Sequence, residues 1–478
     1  MQTISNPEGV AVVSQGRKAL ETHPMNLIDP EGVAVFSGLG NMFARCFRDP
    51  FRVVEQIWRT RFRTRGLRPW LQTAAPAGQR QLQSRWFLLF ISVALTGAGS
   101  RAATPEAVPV DGAPFAAELM GVDADWRIQF AAGSALRRLP AADLVTWGSF
   151  VDPADGTQVV LAGGGLLVAD VVGLDKETLH CEGDLIPQIK LPLEAVTGIL
   201  WHPPGDRDRR DKLMARVRAA AGDSDRLILD NGDELACAVT ALTEKTVKVQ
   251  TPAGPVDVEI SRLAALIFNP SLAARPALSS QRAMLGFSDG SRLLATGLML
   301  VGADAKAQVF GVGEVSLKSD KLVAIQPFGG RAVYLSDLKP SSYKFIPFLQ
   351  LAWPFQQDAN VAGGQLRCAG KLHLKGLGVH SASRLTYDLD RPYRFLQAEL
   401  GIDDRTQGLG SVEFRVFVDT GDGTWQPRNA GPIQRGGERP AAISVDLTDA
   451  KRISLLVEFA DRGDELDDAD WLNARLVK

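Results

Sequence analysis

Three aspartates near the C-terminus, Asp467, Asp468 and Asp470, stand close enough in the chain to share a hard cation. Ca²⁺ is the natural candidate, because it prefers oxygen ligands. The competing reading is a solvated acidic turn before the last strand. Asp403 and Asp404 are adjacent, so an extended backbone sends them to opposite sides. They cannot supply by themselves the two facing carboxyl groups that glycoside hydrolysis requires. His180-Cys181 and His202 lack paired ligand spacing and read as ordinary satisfied or exposed side chains. No GxSxG, P-loop or HExxH pattern occurs, and Gly311-Val312-Gly313 lacks the third glycine of a dinucleotide fingerprint. No catalytic constellation emerges, no cofactor is implied with certainty, and structural Ca²⁺ is the single metal candidate.

The elements that would position these residues are strands. In Leu385-Thr386-Tyr387-Asp388-Leu389 the apolar residues fall two apart, and Leu396, Ala398, Leu400 and Ile402 keep the same period. Successive side chains of a strand face opposite ways, so each run has a core face and a wet face. Val412, Phe414, Val416 and Val418 alternate likewise, as do Ile443, Val445 and Leu447, then Ile453, Leu455, Val457 and Phe459, then Leu472, Ala474 and Leu476. Gly376 and Gly378 before the first run, and Asp390-Arg391-Pro392 after it, are turn residues. Many short strands separated by turns predict an antiparallel two-sheet sandwich.

Several ordered motifs in this region resemble a known family. Lys375-Gly376-Leu377-Gly378-Val379-His380, Thr386-Tyr387-Asp388-Leu389 and Gly401-Ile402-Asp403-Asp404 follow one another as they do in the NPCBM module. This carbohydrate-binding module accompanies glycoside hydrolases of family 98 and is related to carbohydrate-binding module family 51. Val333 to Leu338 resembles its opening strand, Ser411 to Val416 and Gly421-Asp422-Gly423 its middle, and Asp467 to Trp471 its closing motif. One departure is Asp468, where the family pattern has His. The likeness covers residues 331–478 and implies a jelly-roll-like sandwich that binds sugar.

Sugar recognition needs aromatic faces for the apolar C–H side of a pyranose and planar polar groups for its hydroxyls. The aromatic candidates are Trp353, Trp425, Trp471, Tyr343, Tyr387 and Tyr393. Trp425 follows the tight turn Gly421-Asp422-Gly423-Thr424, where binding residues concentrate. Trp471 opens the last predicted strand beside the acidic cluster. His380 follows the Gly-rich turn, and Asp403 and Asp404 are motif residues with polar oxygens. The carbohydrate-binding candidates are therefore Trp425, Trp471, His380, Asp403 and Asp404. Core packing competes for each aromatic, and loop orientation or turn capping for His380 and the two aspartates.

A chain of 478 residues predicts two or more domains. Hydrophobic residues at 45% and charged residues at 23% describe an ordinary globular composition with enough apolar mass for a core. A formal net charge of −2 gives no general attraction to nucleic acid or to an anionic membrane, so neither is an expected partner. Forty-six Gly and 27 Pro suit a turn-rich β protein. The four cysteines, Cys46, Cys181, Cys237 and Cys368, show no metal-ligand spacing.

Upstream, Arg80 and Arg85 precede an apolar run from Trp86 to Ala98 and then small residues through Ala103. This is the outline of a secretory signal peptide, with Ser100-Arg101-Ala102 or Ala98-Gly99-Ser100 as cleavage triplets. Because it begins some eighty residues in, two readings compete. Either the natural start lies near residue 80, which is favoured, or residues 1–85 form a cytoplasmic tail on an uncleaved anchor at 86–98. The expected divisions are a non-native or disordered leader over 1–79, a signal peptide or anchor over 80–103, and small β modules over 104–330. A carbohydrate-binding sandwich over 331–478 completes the chain.

The β modules are inferred from four similar segments: Leu139 to Trp147, Leu191 to Leu200, Ile260 to Phe268 and Leu317 to Ile325. Strand-and-turn patterns precede the last three, with turns at Gly163-Gly164-Gly165, Asn231-Gly232-Asp233 and Ser288-Asp289-Gly290. The repetition predicts β-rolls or small barrels in tandem. One helix is expected from Asp211 to Ala221, with Gly222 as its C′ residue. Its arginines, Arg207, Arg209, Arg210, Arg216 and Arg218, read as a solvated face, with an anion-binding patch as the alternative.

The fold expectation is a mainly β protein, with tandem small β-roll or barrel modules preceding a C-terminal jelly-roll-like antiparallel sandwich. The functional expectation is an exported, periplasmic, envelope or secreted, non-catalytic protein that binds a glycan. A glycoside hydrolase or its accessory subunit, and an envelope protein–protein module, are the alternatives.

Overall fold

The structure, a computed structural model, describes residues 104–153, 155–276, 281–346 and 352–478. The predicted leader, the signal segment, the uncleaved-anchor alternative and Cys46 lie outside the described residues. Strands dominate, and Arg207–Arg218 is the one α-helix among the described residues.

The four similar segments found in the sequence mark four units with one plan. Each closing segment is a 3₁₀ turn followed directly by an apolar strand: Ala141–Asp143 and Leu144–Gly148, Leu193–Ala195 and Val196–Leu200, Ile260–Arg262 and Leu263–Ile267, Ser319–Lys321 and Leu322–Phe328. In every unit the closing strand returns antiparallel to the opening one. Trp147 meets Ala107, Ile199 meets Val159, Leu266 meets Leu227, and Ile325 meets Leu285. The strand before the closing 3₁₀ turn reaches the closing strand only through that turn, with no ladder between them among the described residues. The units are therefore rolls rather than closed barrels.

The rolls associate in two pairs. The second and third join through their closing strands, Ile199 opposite Leu266, and through Asp170–Asp175 and Glu234–Thr243, Leu174 opposite Leu242. The first and fourth repeat both contacts, Ile325 opposite Trp147 and Leu300 opposite Val122. A single pairing, Arg292 with Leu166, connects the two pairs. Alternate residues of these strands point into a shared core that includes Phe130, Trp147, Leu179, Leu227, Leu285 and Ile325.

The helix lies between the second and third rolls in sequence. It starts earlier than predicted because the Asp206 side chain accepts a hydrogen bond from the Arg209 N–H at 2.9 Å, capping a free backbone donor. It ends at Arg218, short of Gly222, with Ala219 as its C-cap. Met214 and Val217 press into an apolar patch with Leu200, Ile228 and Ala265, which fixes the helix against the rolls.

The C-terminal part is a sandwich of two six-stranded antiparallel sheets. The first sheet has Asp468–Val477 at its centre, flanked by Gly376–His380 and Phe395–Ile402. The second has Arg452–Phe459 between Ser383–Asp388 and Ser411–Asp419. Leu385, Leu400, Phe414, Val457, Trp471 and Leu476 meet between the sheets. The strand expectations hold for these runs.

Two local expectations are corrected. Gly376–His380 is a buried strand rather than a turn. A Cβ on Gly378 would sit 2.4 Å from the Ala359 carbonyl oxygen, so the glycine permits a close backbone approach. The final strand begins at Asp468, so the acidic cluster enters the sheet instead of forming a solvated turn.

The rolls and the sandwich belong to one compact unit. Gln326 Nε2 of the fourth roll donates to Tyr334 Oη at 3.1 Å, and Arg331 Nη1 donates to Asp143 Oδ1 of the first roll at 3.0 Å. Cys181, Cys237 and Cys368 are free thiols in buried positions.

Candidate functional site

The two ends of the sandwich differ in what they offer a ligand. At one end, the antiparallel register brings together His380, Ser383, Ser411, Asp467 and Asp468. His380 is buried, and its Nδ1 must donate to the Ser381 carbonyl, 2.7 Å away, since that oxygen can only accept. This leaves Nε2 facing Asp468 Oδ1 at 3.9 Å. Trp353 lies flat on the imidazole, with centroids 5.2 Å apart and planes 8° from parallel. Phe345 meets the same ring edge-on at 6.2 Å. Trp353 and Phe345 are only half-buried, so part of each aromatic surface reaches solvent. Arg405, paired with Asp468, adds planar donors nearby. Leu409, Phe459 and Leu466 are exposed at this end.

Aromatic faces beside a guanidinium and a carboxylate are the chemistry a pyranose needs. The sheet geometry explains why the group forms here. Gly376–His380 ends where Asp468–Val477 begins, so residues nearly ninety positions apart become neighbours.

Asp467 has structural partners, whereas Asp470 Oδ1 and Oδ2 are buried with no hydrogen-bond partner among the described residues. Asp467 is fully buried and accepts from Ser381 Oγ at 2.7 Å and from the Ser411 N–H at 2.8 Å. Burial raises its pKa to about 6 despite those bonds. Asp470 is completely buried beside Asp403; burial first, then the Asp403 charge, pushes its carboxyl well above the usual range. No group of three or more His, Cys, Asp or Glu side chains able to hold a metal occurs among the described residues.

Asp403 and Asp404 also depart from the expected ligand role. Asp403 is 2% exposed, accepts from the N–H groups of Arg367 and Arg405, and caps the turn Asp404–Thr406. Asp404 accepts from the N–H groups of Ala369 and Gly370, both at 2.8 Å, and so secures the hairpin turn there. Trp471 is 1% exposed and packs edge-on against Phe414 at 5.0 Å, leaving no face for a sugar. The alternation of Leu472, Ala474 and Leu476 would have put it on the other face; Asn473, with φ of 49°, interrupts the period, so Trp471 shares the core with Ala474 and Leu476.

Trp425 sits half-buried at the opposite end, after Ser411–Asp419. Arg452 lies 4.9 Å over one face of its indole. Asp419 holds the assembly by accepting from the N–H of Gly421 and from Arg452 Nε, both at 2.8 Å. Trp425 and His380 therefore belong to separate surfaces. Sequence reading named Trp353 among the aromatics without selecting it, and missed Phe345 and Arg405. Their convergence on His380 is made by pairing between distant strands, and no local pattern announces it.

These features define a β-sandwich with an aromatic, polar loop end. Residues 331–477 match the family model of the NPCBM/NEW2 domain. A protein of Renibacterium salmoninarum named as an endo-alpha-N-acetylgalactosaminidase is 27% identical over 182 residues, 34% of this chain and 12% of its own length. Alpha-1,3-galactosidase B of Akkermansia muciniphila is 29% identical over 119 residues, 24% of this chain and 14% of its own. The chain thus spans only about an eighth of the length of these relatives. Among solved structures, the family 51 carbohydrate-binding module of a Clostridium perfringens glycoside hydrolase, in complex with methyl-galactose, is 21% identical. The alignment covers 30% of this chain and 99% of that one, with a TM-score of 0.27.

Proposed function

We propose that this chain is an exported, non-catalytic carbohydrate-binding protein that holds a glycan at the His380 end of its NPCBM/NEW2 sandwich. The observation that carries the reading is the family match over residues 331–477. The half-exposed aromatics around His380 support its location. Trp353 and Phe345 supply apolar contact, while Arg405, held by buried Asp468, supplies hydrogen-bond donors to ring hydroxyls. The methyl-galactose and GlcNAc named for the Clostridium perfringens modules make galactose- and N-acetylglucosamine-type sugars the first to test.

The test is a glycan array followed by calorimetry on residues 104–478, with Trp353→Ala and Trp425→Ala as variants. Binding that Trp353→Ala weakens and Trp425→Ala spares supports the His380 end. Absence of binding to any glycan would count against the function itself. Export rests on residues 81–103 and is tested by the mass of the native N-terminus.

The names of the two curated relatives favour a second reading, in which the chain is a hydrolase or its accessory part. Release of reducing sugar by the pure chain would support it.

A further inference from the structure

A cavity of about 360 Å³ lies where the second and fourth rolls meet the sandwich hairpin, and its chemistry differs from the His380 end. Met284, Leu294 and Phe328 provide apolar wall, while the Gly163-Gly164 turn closes one side. The polar lining is mainly cationic: Arg218, Arg282, Arg292 and Lys375 face the space with two carboxylates, Asp337 and Asp358. Both carboxylates engage Lys375, at 2.5 and 2.6 Å. By formal count the lining holds more cations than carboxylates, while Asp152 and Asp211 outside it also act on Arg292.

Arg292 is the decisive group. Its side chain is 2% exposed, on the strand that links the two pairs of rolls. Nη1 donates to Gln365 Oε1 of the sandwich at 2.9 Å. Nε and Nη2 have no hydrogen-bond partner among the described residues. Those two nitrogens form one edge of the guanidinium, the parallel pair of donors that fits two oxygens of an oxyanion. A buried donor without a partner is costly, so such an edge is a feature to be explained.

The surroundings point the same way. Burial, with the charges of Arg218 and Arg367 close by, pushes Arg292 down to about 9, a group that would gain from an added negative charge. Arg218 comes from the helix whose arginines suggested an anion patch in the sequence. Arg207 and Arg210 pair with Asp152, and Arg216 pairs with Glu234. Arg218 instead donates to the Gly164 carbonyl at 3.4 Å, at the rim of the cavity. Half-buried His373 adds a buried Nε2, which has no partner among the described residues.

We propose that this cavity is a second binding site, for a monosaccharide-sized ligand bearing a carboxylate, sulfate or phosphate group held by the Nε–Nη2 edge of Arg292. The volume is larger than an inorganic ion requires, and the apolar wall suits the C–H face of a ring. The site lies between rolls and sandwich, so it is independent of the sugar site at the His380 end.

The experiment is thermal-shift and calorimetric titration of residues 104–478 at low salt with glucuronate, inorganic sulfate, inorganic phosphate and neutral glucose. Saturable binding of at least one anion is expected, weakened about 10- to 100-fold in Arg292→Met and retained in Trp353→Ala. Which anion binds most tightly identifies the oxyanion. Should Arg292→Met fail to fold, Arg218→Gln decides, with about a threefold loss expected. No saturable anion binding, or binding equal in the folded variants, overturns the proposal. Glucose binding at the same site with equal strength also overturns it.

Discussion

Arg367 of the sandwich and Asp211 of the helix form a buried ion pair across the boundary between the two parts of the molecule, with Nη1 and Oδ2 2.5 Å apart. Nη2 of the same guanidinium donates to Asp152 Oδ1 of the loop after the first roll, at 2.6 Å. One side chain thus ties together three segments that lie more than two hundred residues apart at their extremes. The two carboxylates raise the Arg367 pKa against the opposing effect of burial.

Breaking this pair is expected to be expensive. Arg367→Met leaves Asp211 buried without its cation and should reduce unfolding free energy by about 3–5 kcal/mol. The double variant Arg367→Met with Asp211→Leu should recover most of the loss. Urea unfolding of the three proteins tests this. Equal stability of the single variant and the parent would show that the pair contributes nothing.

Asp467 predicts a pH dependence. Its folded pKa, about 6, lies above the usual 3.8, so the folded state holds the proton more tightly than the unfolded one. The associated stability is complete below the unfolded value and is lost as pH rises through the folded value. From pH 4 to pH 7 the parent should therefore lose about 2 kcal/mol relative to Asp467→Asn, at roughly 1.4 kcal/mol per pKa unit and with part of the effect already lost at pH 4. The amide retains an acceptor for the Ser411 N–H and offers a donor to Ser381. A Tm difference between the two proteins that does not change with pH would refute the shift.

Gly148 marks the contact between the first and fourth rolls. It has φ of 73°, and a Cβ there would lie 1.9 Å from the Val323 carbonyl oxygen. Gly148→Ala combines a left-handed backbone with a clash against a neighbouring strand. The expected loss is about 3 kcal/mol or more, measured by chemical denaturation.

Trp471 and Trp353 should separate stability from recognition. Trp471→Ala opens a cavity between the sheets and should cost about 3–5 kcal/mol of stability. Trp353→Ala removes a half-exposed ring and should leave the fold largely intact while lowering sugar affinity about tenfold. Paired melting curves and calorimetry on each variant check both halves. Unchanged affinity in Trp353→Ala would move the sugar site away from His380.

Much of the sandwich could be seen in the sequence because its strands are amphipathic. Leu396, Ala398, Leu400 and Ile402 alternate strictly, and a strand with one buried face must show that period. The four roll endings were visible for a related reason: each repeats a short turn and then a run of apolar residues. Gly376–His380 and Asp468–Val477 were misread at their starts. Both are buried along their whole length, so alternation gives no signal, and glycines and aspartates locally resemble turns.

The sequence alone determined the strands, the repeated rolls and the family likeness, because these depend on residues near one another in the chain. Tertiary structure decided which aspartates became buried partners and which aromatic joined His380. It also decided where Arg292 kept a buried edge without a partner among the described residues. Those outcomes depend on strand pairing and on the seating of rolls against sandwich, contacts between segments far apart in the chain that no local spacing encodes.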